Sequence, residues 1–240
     1  LPGSWILGLN TASETLGVAL VSGSALRAEL LIAPESARGG HGERLQPAIA
    51  SLCELTGIKP PDLAGVAVAA GPGGFTGVRT GMAAAKAIAL SLGLPVLPVP
   101  TLLALAAQYP APGLVSPMLD ARKGKVFAAL YRRDAAGLHE LVPEGLWDLP
   151  DWLARLEKHR GEGVAFVGEG ALRQRSAIAE RFGGFALPDE AHLLRAGSVA
   201  LLGATMQARG EGVDAMNALP AYMREPTAVA GWENLGPATP

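Results

Sequence analysis

The chain has 240 residues, 49% of them hydrophobic and 18% charged, a composition that excludes wholesale disorder and suits one large domain or two compact ones. Twenty basic residues against 22 acidic ones leave a net charge of −2, without the overall basic footprint of an independent nucleic-acid binder. Glycine (31) and proline (19) stay below the ~25–30% share that marks low complexity, and one cysteine, Cys53, excludes an intrachain disulfide and any multi-thiolate metal site.

Residues 5–10 (WILGLN) and 16–22 (LGVALVS) are short apolar runs joined by turn-formers, a hairpin, and 25–32 supplies a third strand after the SGS turn. No basic segment precedes the first run, so no secretory leader is expected, and a reducing cytoplasm is the simplest compartment. Leu45, Ala48, Ile49, Leu52 and Leu55 recur at helical spacing up to Gly57, with Pro47 expected near the helix start or at a kink. A buried strand at 64–70, a helix at 76–92, a strand at 94–99 and a helix from Thr101 follow. Between Met82 and Ala107 only Lys86 is charged, but Pro95, Pro98 and Pro100 break any spanning helix, so no membrane is expected.

The second half repeats this order. LVSPML (114–119) and KVFAALYRR (125–133) form another hairpin, and 138–142 a weaker third strand. A helix at 149–159, a strand at 163–167, a helix at 169–182 and an apolar piece at 184–187 come next, then a final helix from Ala196 to Gln207 and a loose tail after Arg224. Two successive βββαβα units in an α/β chain imply a duplication, with lobes at 1–107 and 108–240.

The densest local signal is Gly71-Pro72-Gly73-Gly74-Phe75-Thr76-Gly77-Val78-Arg79, between an apolar strand and a helix. It lacks the Gly-Lys-Ser/Thr ending of a P-loop and the spacing of a dinucleotide fingerprint, leaving two readings open: a tight structural turn, or an anion or partner site. Beyond it Gly77, Gly81, Ala85 and Ala89 put small side chains on one helical stripe, which suits packing on the chain's own sheet or a subunit interface. Asn10-Thr11-Ala12-Ser13 and Asp120-Ala121-Arg122-Lys123-Gly124 sit at the tips of the two hairpins, either as plain turns or as phosphate contacts. His41 opens the first long helix, but Leu45 stands where a second metal-binding histidine would be. Arg122, Lys123, Lys125, Arg132 and Arg133 make a basic cluster, read as a solvated strand edge or as an RNA or phosphate contact.

At HGERLQPAIASL, GPGGFTGVRTGMAAAKAIA, PTLLALA and LDARKGKVFAALY the sequence resembles the TsaB (YeaZ) family, over most of residues 5–133 and again at 220–224. The resemblance implies the two-lobed actin-like ATPase (ribonuclease H-like) fold. It implies a non-catalytic, cytoplasmic subunit that supports a paralogous TsaD-type transferase in attaching threonylcarbamoyl to N6 of the tRNA adenosine next to the anticodon. A small TsaE-type ATPase, a homodimer, and tRNA reached indirectly are the further partners it implies. In that family the helices after HGERL and after GPGGFTG pair with the paralogue or a second copy, which points to His41, Leu45, Ile49, Gly77, Gly81, Met82 and Ala85 as interface candidates. The paralogue holds its metal through an HxxxH pair that is incomplete here, so neither metal nor catalytic residues are expected in this chain. ATP or ADP shared at a subunit interface is the one cofactor implied, with Asn10, Thr11, Gly73, Gly74 and Asp120 as nucleotide or phosphate candidates. The competing expectation is a stand-alone actin-like ATPase or phosphotransferase.

Overall fold

A computed structural model describes residues 4–33, 40–183 and 187–221. Strands β1 (Trp5–Asn10), β2 (Leu16–Ser22) and β3 (Ala25–Ile32) run antiparallel, followed by helix α1 (His41–Thr56), β4 (Leu63–Gly71), α2 (Phe75–Leu92), β5 (Val96–Pro100) and α3 (Thr101–Ala107). The five strands make one sheet in the order β3-β2-β1-β4-β5, with β1, β4 and β5 parallel. The second unit repeats the hairpin with β6 (Gly113–Asp120), β7 (Lys125–Asp134) and β8 (Gly137–Asp148), then α4 (Leu149–Leu156), β9 (Val164–Val167), α5 (Glu169–Arg173) and α6 (Arg175–Phe182). Its order, β8-β7-β6-β9 with β6 and β9 parallel, reproduces the first four strands of the other sheet. The chain thus has the actin-like fold, α/β with a duplicated lobe. Of the expected apolar piece at 184–187 only Leu187 is described, and the tail after Arg224 lies outside the described residues.

Side-chain alternation explains the layering. Along β4, Val66, Val68 and Ala70 point to one core, with Leu45, Leu52, Met82, Ala85 and Ala89 of α1 and α2. Ala67 and Ala69 point to the other, with Leu102 and Leu105 of α3 and with Val115, Leu119, Phe127 and Tyr131 of the second sheet. The far face of the second sheet packs Met118, Val126 and Leu130 against Trp152, Leu153 and Leu156 of α4 and Ile178 of α6. Each fully buried leucine of this kind contributes roughly 1.5–3 kcal/mol. The last helix, α7 (Ala196–Ala208), returns to the first sheet, where Gly8, Gly17 and Gly203 let its backbone come close: a Cβ on Gly8 would lie 2.6 Å from that of Ala200.

Three elements differ from the sequence reading. β8 runs to Asp148 through Pro143 and Gly145, which a central strand would not accept; β8 is an edge strand, and its register against β7 shifts beside Leu130. The helix expected at 169–182 is divided at Gln174 into α5 and α6. The helix expected at 149–159 ends as α4 at Leu156 and continues as a 3-10 helix over Glu157–Glu162. Pro47 lies exposed in the interior of α1, where the Glu43 carbonyl that loses its partner can reach water.

Candidate functional site

The tip of the β1–β2 hairpin is built almost wholly from internal hydrogen bonds. Asn10 is fully buried; its Nδ2 donates to Ser13 Oγ (2.9 Å), Thr15 Oγ1 (3.2 Å) and the Leu194 carbonyl (3.1 Å), and its Oδ1 accepts from the Ala12 amide (3.1 Å). His41, at the start of α1, donates from Nε2 to the Ser13 carbonyl at 3.0 Å, while Leu45 one turn on is sealed in the core at 2% exposure.

The glycine-rich loop closes over that tip. The Gly74 amide donates to the Ala12 carbonyl (2.8 Å), and Thr11 Oγ1 donates to the Gly77 carbonyl (2.7 Å). A Cβ on Gly73 would strike the Ala12 carbonyl, one on Gly77 the Thr11 carbonyl, and one on Gly81 the Thr11 hydroxyl. Gly77 and Gly81, the first half of the small-residue stripe, are therefore the seat of the first hairpin, and glycine is required there for backbone approach, while Ala85 and Ala89 pack in the core.

The residues that meet this tip come from the second lobe. At the β6–β7 tip Arg122 and Lys123 both take left-handed backbone angles (φ 66° and 54°), which turns two exposed basic side chains outward. Asp120 Oδ1 accepts from the Arg122 amide (3.0 Å), and its Oδ2 lies 3.9 Å from both Arg122 Nε and Arg173 Nε. After β9, Gly168 and Gly170 sit against the Met118–Asp120 backbone and hold Glu169 between them toward the first hairpin. Glu169 Oε2 accepts the Glu14 amide at 2.9 Å, and Arg173 pairs with the Glu14 carboxylate. Burial raises the Glu169 carboxyl to about 7; the Glu14 amide and Arg173 oppose the rise, while the carboxylates of Glu14 and Asp120 add to it.

A family model described as "TsaD: tRNA N6-adenosine threonylcarbamoyltransferase" matches residues 31–232. The "tRNA threonylcarbamoyladenosine biosynthesis protein TsaB" of Bacillus subtilis (strain 168) is 35% identical over 95% of this chain and 97% of its own length. The chain belongs to the TsaB family. The TsaB of Escherichia coli (strain K12) is 30% identical over 96% of this chain and 97% of its own. The solved structure of YeaZ from Pseudomonas aeruginosa superposes with a TM-score of 0.72 at 26% identity, covering 91% of this chain and 99% of that one.

For a TsaB-family chain, the interface candidates fall into two groups. Gly81, Met82 and Ala85 are buried against the chain's own sheet, Leu45 is in the same core, and Gly77 is seated on Thr11. The expectation that these residues meet a partner gives way to the packing alternative, because their faces of α1 and α2 are already covered. His41 and Ile49 are partly buried on α1. The exposed face of α2 is instead Phe75, Arg79, Ala83, Ala87 and Leu90, with the Arg79 guanidinium 3.8 Å from the Phe75 ring centre. Of the phosphate candidates, Asn10, Thr11, Gly73 and Gly74 converge at one tip, where Asn10 bonds to Ser13, Thr15 and Leu194, Thr11 to the Gly77 carbonyl and Gly74 to the Ala12 carbonyl, and Asp120 lies in the second lobe beside two arginines. In the basic cluster, Lys125 pairs with Asp148 and Arg132 with Glu162, each at 2.7 Å, and Arg133 donates to the Ala107 carbonyl at 2.9 Å. Glu14, Glu169 and Arg173 escaped the sequence reading. The one signal for them was a charged residue bracketed by Gly168 and Gly170 directly after a short strand.

Proposed function

We propose that this chain is a non-catalytic docking subunit for a paralogous TsaD-type, metal-dependent transferase that places threonylcarbamoyl on N6 of the tRNA adenosine next to the anticodon. The observation that carries the reading is the outer face of α1 and α2. Ala83, Ala87 and Leu90 of α2 and Pro47 and Ala50 of α1 are exposed, while the opposite faces of both helices are fixed in the core. Such a face is smooth enough for helix-on-helix contact and is held rigidly by the sheet beneath it. His41 serves the Ser13 carbonyl and position 45 is a core leucine, so this helix start supports architecture where the transferase would hold metal.

A second copy of the chain uses the same face, so homodimer and heterodimer compete for one surface. Nucleotide, where it takes part, sits between subunits and with the small TsaE-type ATPase, because the Gly74 and Glu14 amides already serve Ala12 and Glu169. The complex works on tRNA in the cytoplasm, and tRNA is bound chiefly by the partner. No described helix is long and apolar enough to cross a membrane.

The test is reconstitution with the transferase, the TsaE-type ATPase and tRNA. Modification is expected to require this chain, and Ala87→Arg is expected to abolish co-purification with the transferase while leaving the melting temperature of the free chain unchanged. Undiminished tRNA modification without the chain, or an intact complex with the Ala87 variant, overturns the proposal.

A further inference from the structure

After α7 the chain returns along the flank of α2. Val213 and Val96, the first residue of β5, exchange backbone hydrogen bonds (2.8 and 2.9 Å), and Ala215 and Ala218 are buried in the core that holds Met82 and Ala89. Lys86 Nζ donates to the Met216 and Ala218 carbonyls at 3.1 Å each, and the Ala221 amide donates to the Ala70 carbonyl near the end of β4 at 2.7 Å. Since α2 connects the parallel strands β4 and β5, residues 213–221 run beside it from its C-terminal end to its N-terminal end. There the Ala221 carbonyl lies against Gly71, at the head of the glycine-rich loop.

We propose that residues 222–235 fold back along the outer face of α2, so that the chain's own segment occupies the surface of Phe75, Arg79, Ala83, Ala87 and Leu90. The pinning of Ala221 starts this segment at the Phe75 end of that surface, where the Arg79 guanidinium lies 3.8 Å from the Phe75 ring centre. The charged residues of α2 are Arg79 and Lys86, both basic, and Lys86 already serves the Met216 and Ala218 carbonyls. Beyond Arg224 the charged residues of the chain are Glu225 and Glu233, both acidic. Tyr222 and Glu225 thus match Phe75 and Arg79 in chemistry, ring to ring and carboxylate to guanidinium. Trp232 supplies a large apolar side chain for the smooth stretch at Ala83, Ala87 and Leu90.

Reach and tethering favour this occupant over one drawn from solution. The 18 residues of α2 span about 27 Å at 1.5 Å per residue. The chain from Tyr222 to Trp232 extends to about 35 Å, so Trp232 reaches any point on the face. A short tether gives an effective concentration in the millimolar range. One ion pair with one aromatic contact, too weak to hold a free partner, is then enough to populate the folded-back arrangement. A second copy or a transferase that uses the face must displace the segment, which makes it a built-in competitor. That consequence rests on the docking reading above, whereas the folding back does not.

Paramagnetic relaxation in the full-length chain tests the arrangement. A nitroxide is attached through Ala230→Cys, with Cys53→Ser removing the natural thiol, and backbone amide intensities are read by NMR. The amides of Ala83, Ala87 and Leu90 are expected to lose more than about half of their intensity, and those of Trp152 and Ile178 in the second lobe to keep theirs. Tyr222→Ser combined with Glu225→Lys leaves the tether intact and is expected to restore most of the lost signal, as is Arg79→Glu on the helix. No loss along α2, or an undiminished loss in these variants, which marks tethering alone, overturns the proposal. So does a loss passed from a nitroxide-bearing chain to an isotope-labelled chain without nitroxide, which assigns the face to a second copy. The Tyr222→Ser/Glu225→Lys variant is expected to bind the transferase about threefold or more tightly than the wild type, because no population is held in the covered state. Equal affinity overturns the competition. Failure of the docking reading leaves the NMR outcome untouched, so the two are separately decided.

Discussion

The α-carbon of Gly77 faces the carbonyl oxygen of Thr11 so closely that no side chain fits between them. Gly77→Ala is therefore expected to destabilise the chain, although alanine is the better helix former by about 1 kcal/mol. The obstacle is backbone, which cannot rotate away, and overpacking of this kind costs about 1–3 kcal/mol. Gly42→Ala in α1 is the control: the nearest neighbour of its Cβ is Thr80 Cγ2 at 3.8 Å, ordinary contact, so that variant is expected to be neutral or more stable by up to about 1 kcal/mol. Urea titration of the two variants checks the opposite signs.

In the second lobe, the buried indole of Trp152 donates from Nε1 to Ser116 Oγ at 3.1 Å. Ser116→Ala leaves that N–H without its acceptor in a site closed to water, a loss of about 1–3 kcal/mol. Ser116→Thr keeps a hydroxyl and is expected to recover part of it. Thermal melts followed by tryptophan fluorescence separate the two.

The fold was legible because both sheets bury both faces, so their strands read as continuous apolar runs and the hairpins as their punctuation. What the sequence could not tell was direction. The spacing of Gly77, Gly81, Ala85 and Ala89 defines a smooth helical stripe, but periodicity alone does not say whether that stripe meets the chain's own hairpin or another molecule. The packing of Thr11 and Val68 against Gly81 answers it, and those residues are distant in sequence. The Glu14–Glu169 contact spans 155 positions and so leaves no local trace. The third strand of the second unit, read as 138–142, continues through Pro143 to Asp148, since a residue without an amide donor is harmless on an edge.

The start of α7 is anchored from another strand. Glu29 on β3 accepts the Gly197 amide at 2.8 Å and pairs with Arg195, so a carboxylate from outside the helix supplies what an N-cap side chain usually does. Glu29→Ala is expected to cost about 1–2 kcal/mol, and Glu29→Gln less, because the amide oxygen still accepts. Hydrogen exchange in the first turn of α7 should rise in the Ala variant ahead of global unfolding. Unchanged protection there would mean the helix start is held by packing alone.

Glu144 on β8 offers a pH-dependent test away from the hairpin tips. Its carboxyl is pushed up to about 7 from an ordinary 4.5, first by burial and then by the neighbouring Glu140 carboxylate, and its Oε2 has no hydrogen-bond partner among the described residues. The folded state thus holds the proton more tightly than the unfolded chain does. Stability contributed by this site is full below pH 4.5, declines as the unfolded chain ionises, and levels off once the pH has passed about 7. Glu144→Gln removes the titration and keeps the shape. It is expected to match the wild type near pH 4.5 and to exceed it by about 1–2 kcal/mol at pH 8.5, after allowing for partial exposure to solvent. Glu169 titrates over the same range in both proteins, so the difference between their urea curves, taken pH by pH, isolates Glu144. A constant difference across the range would assign the effect to packing and not to charge.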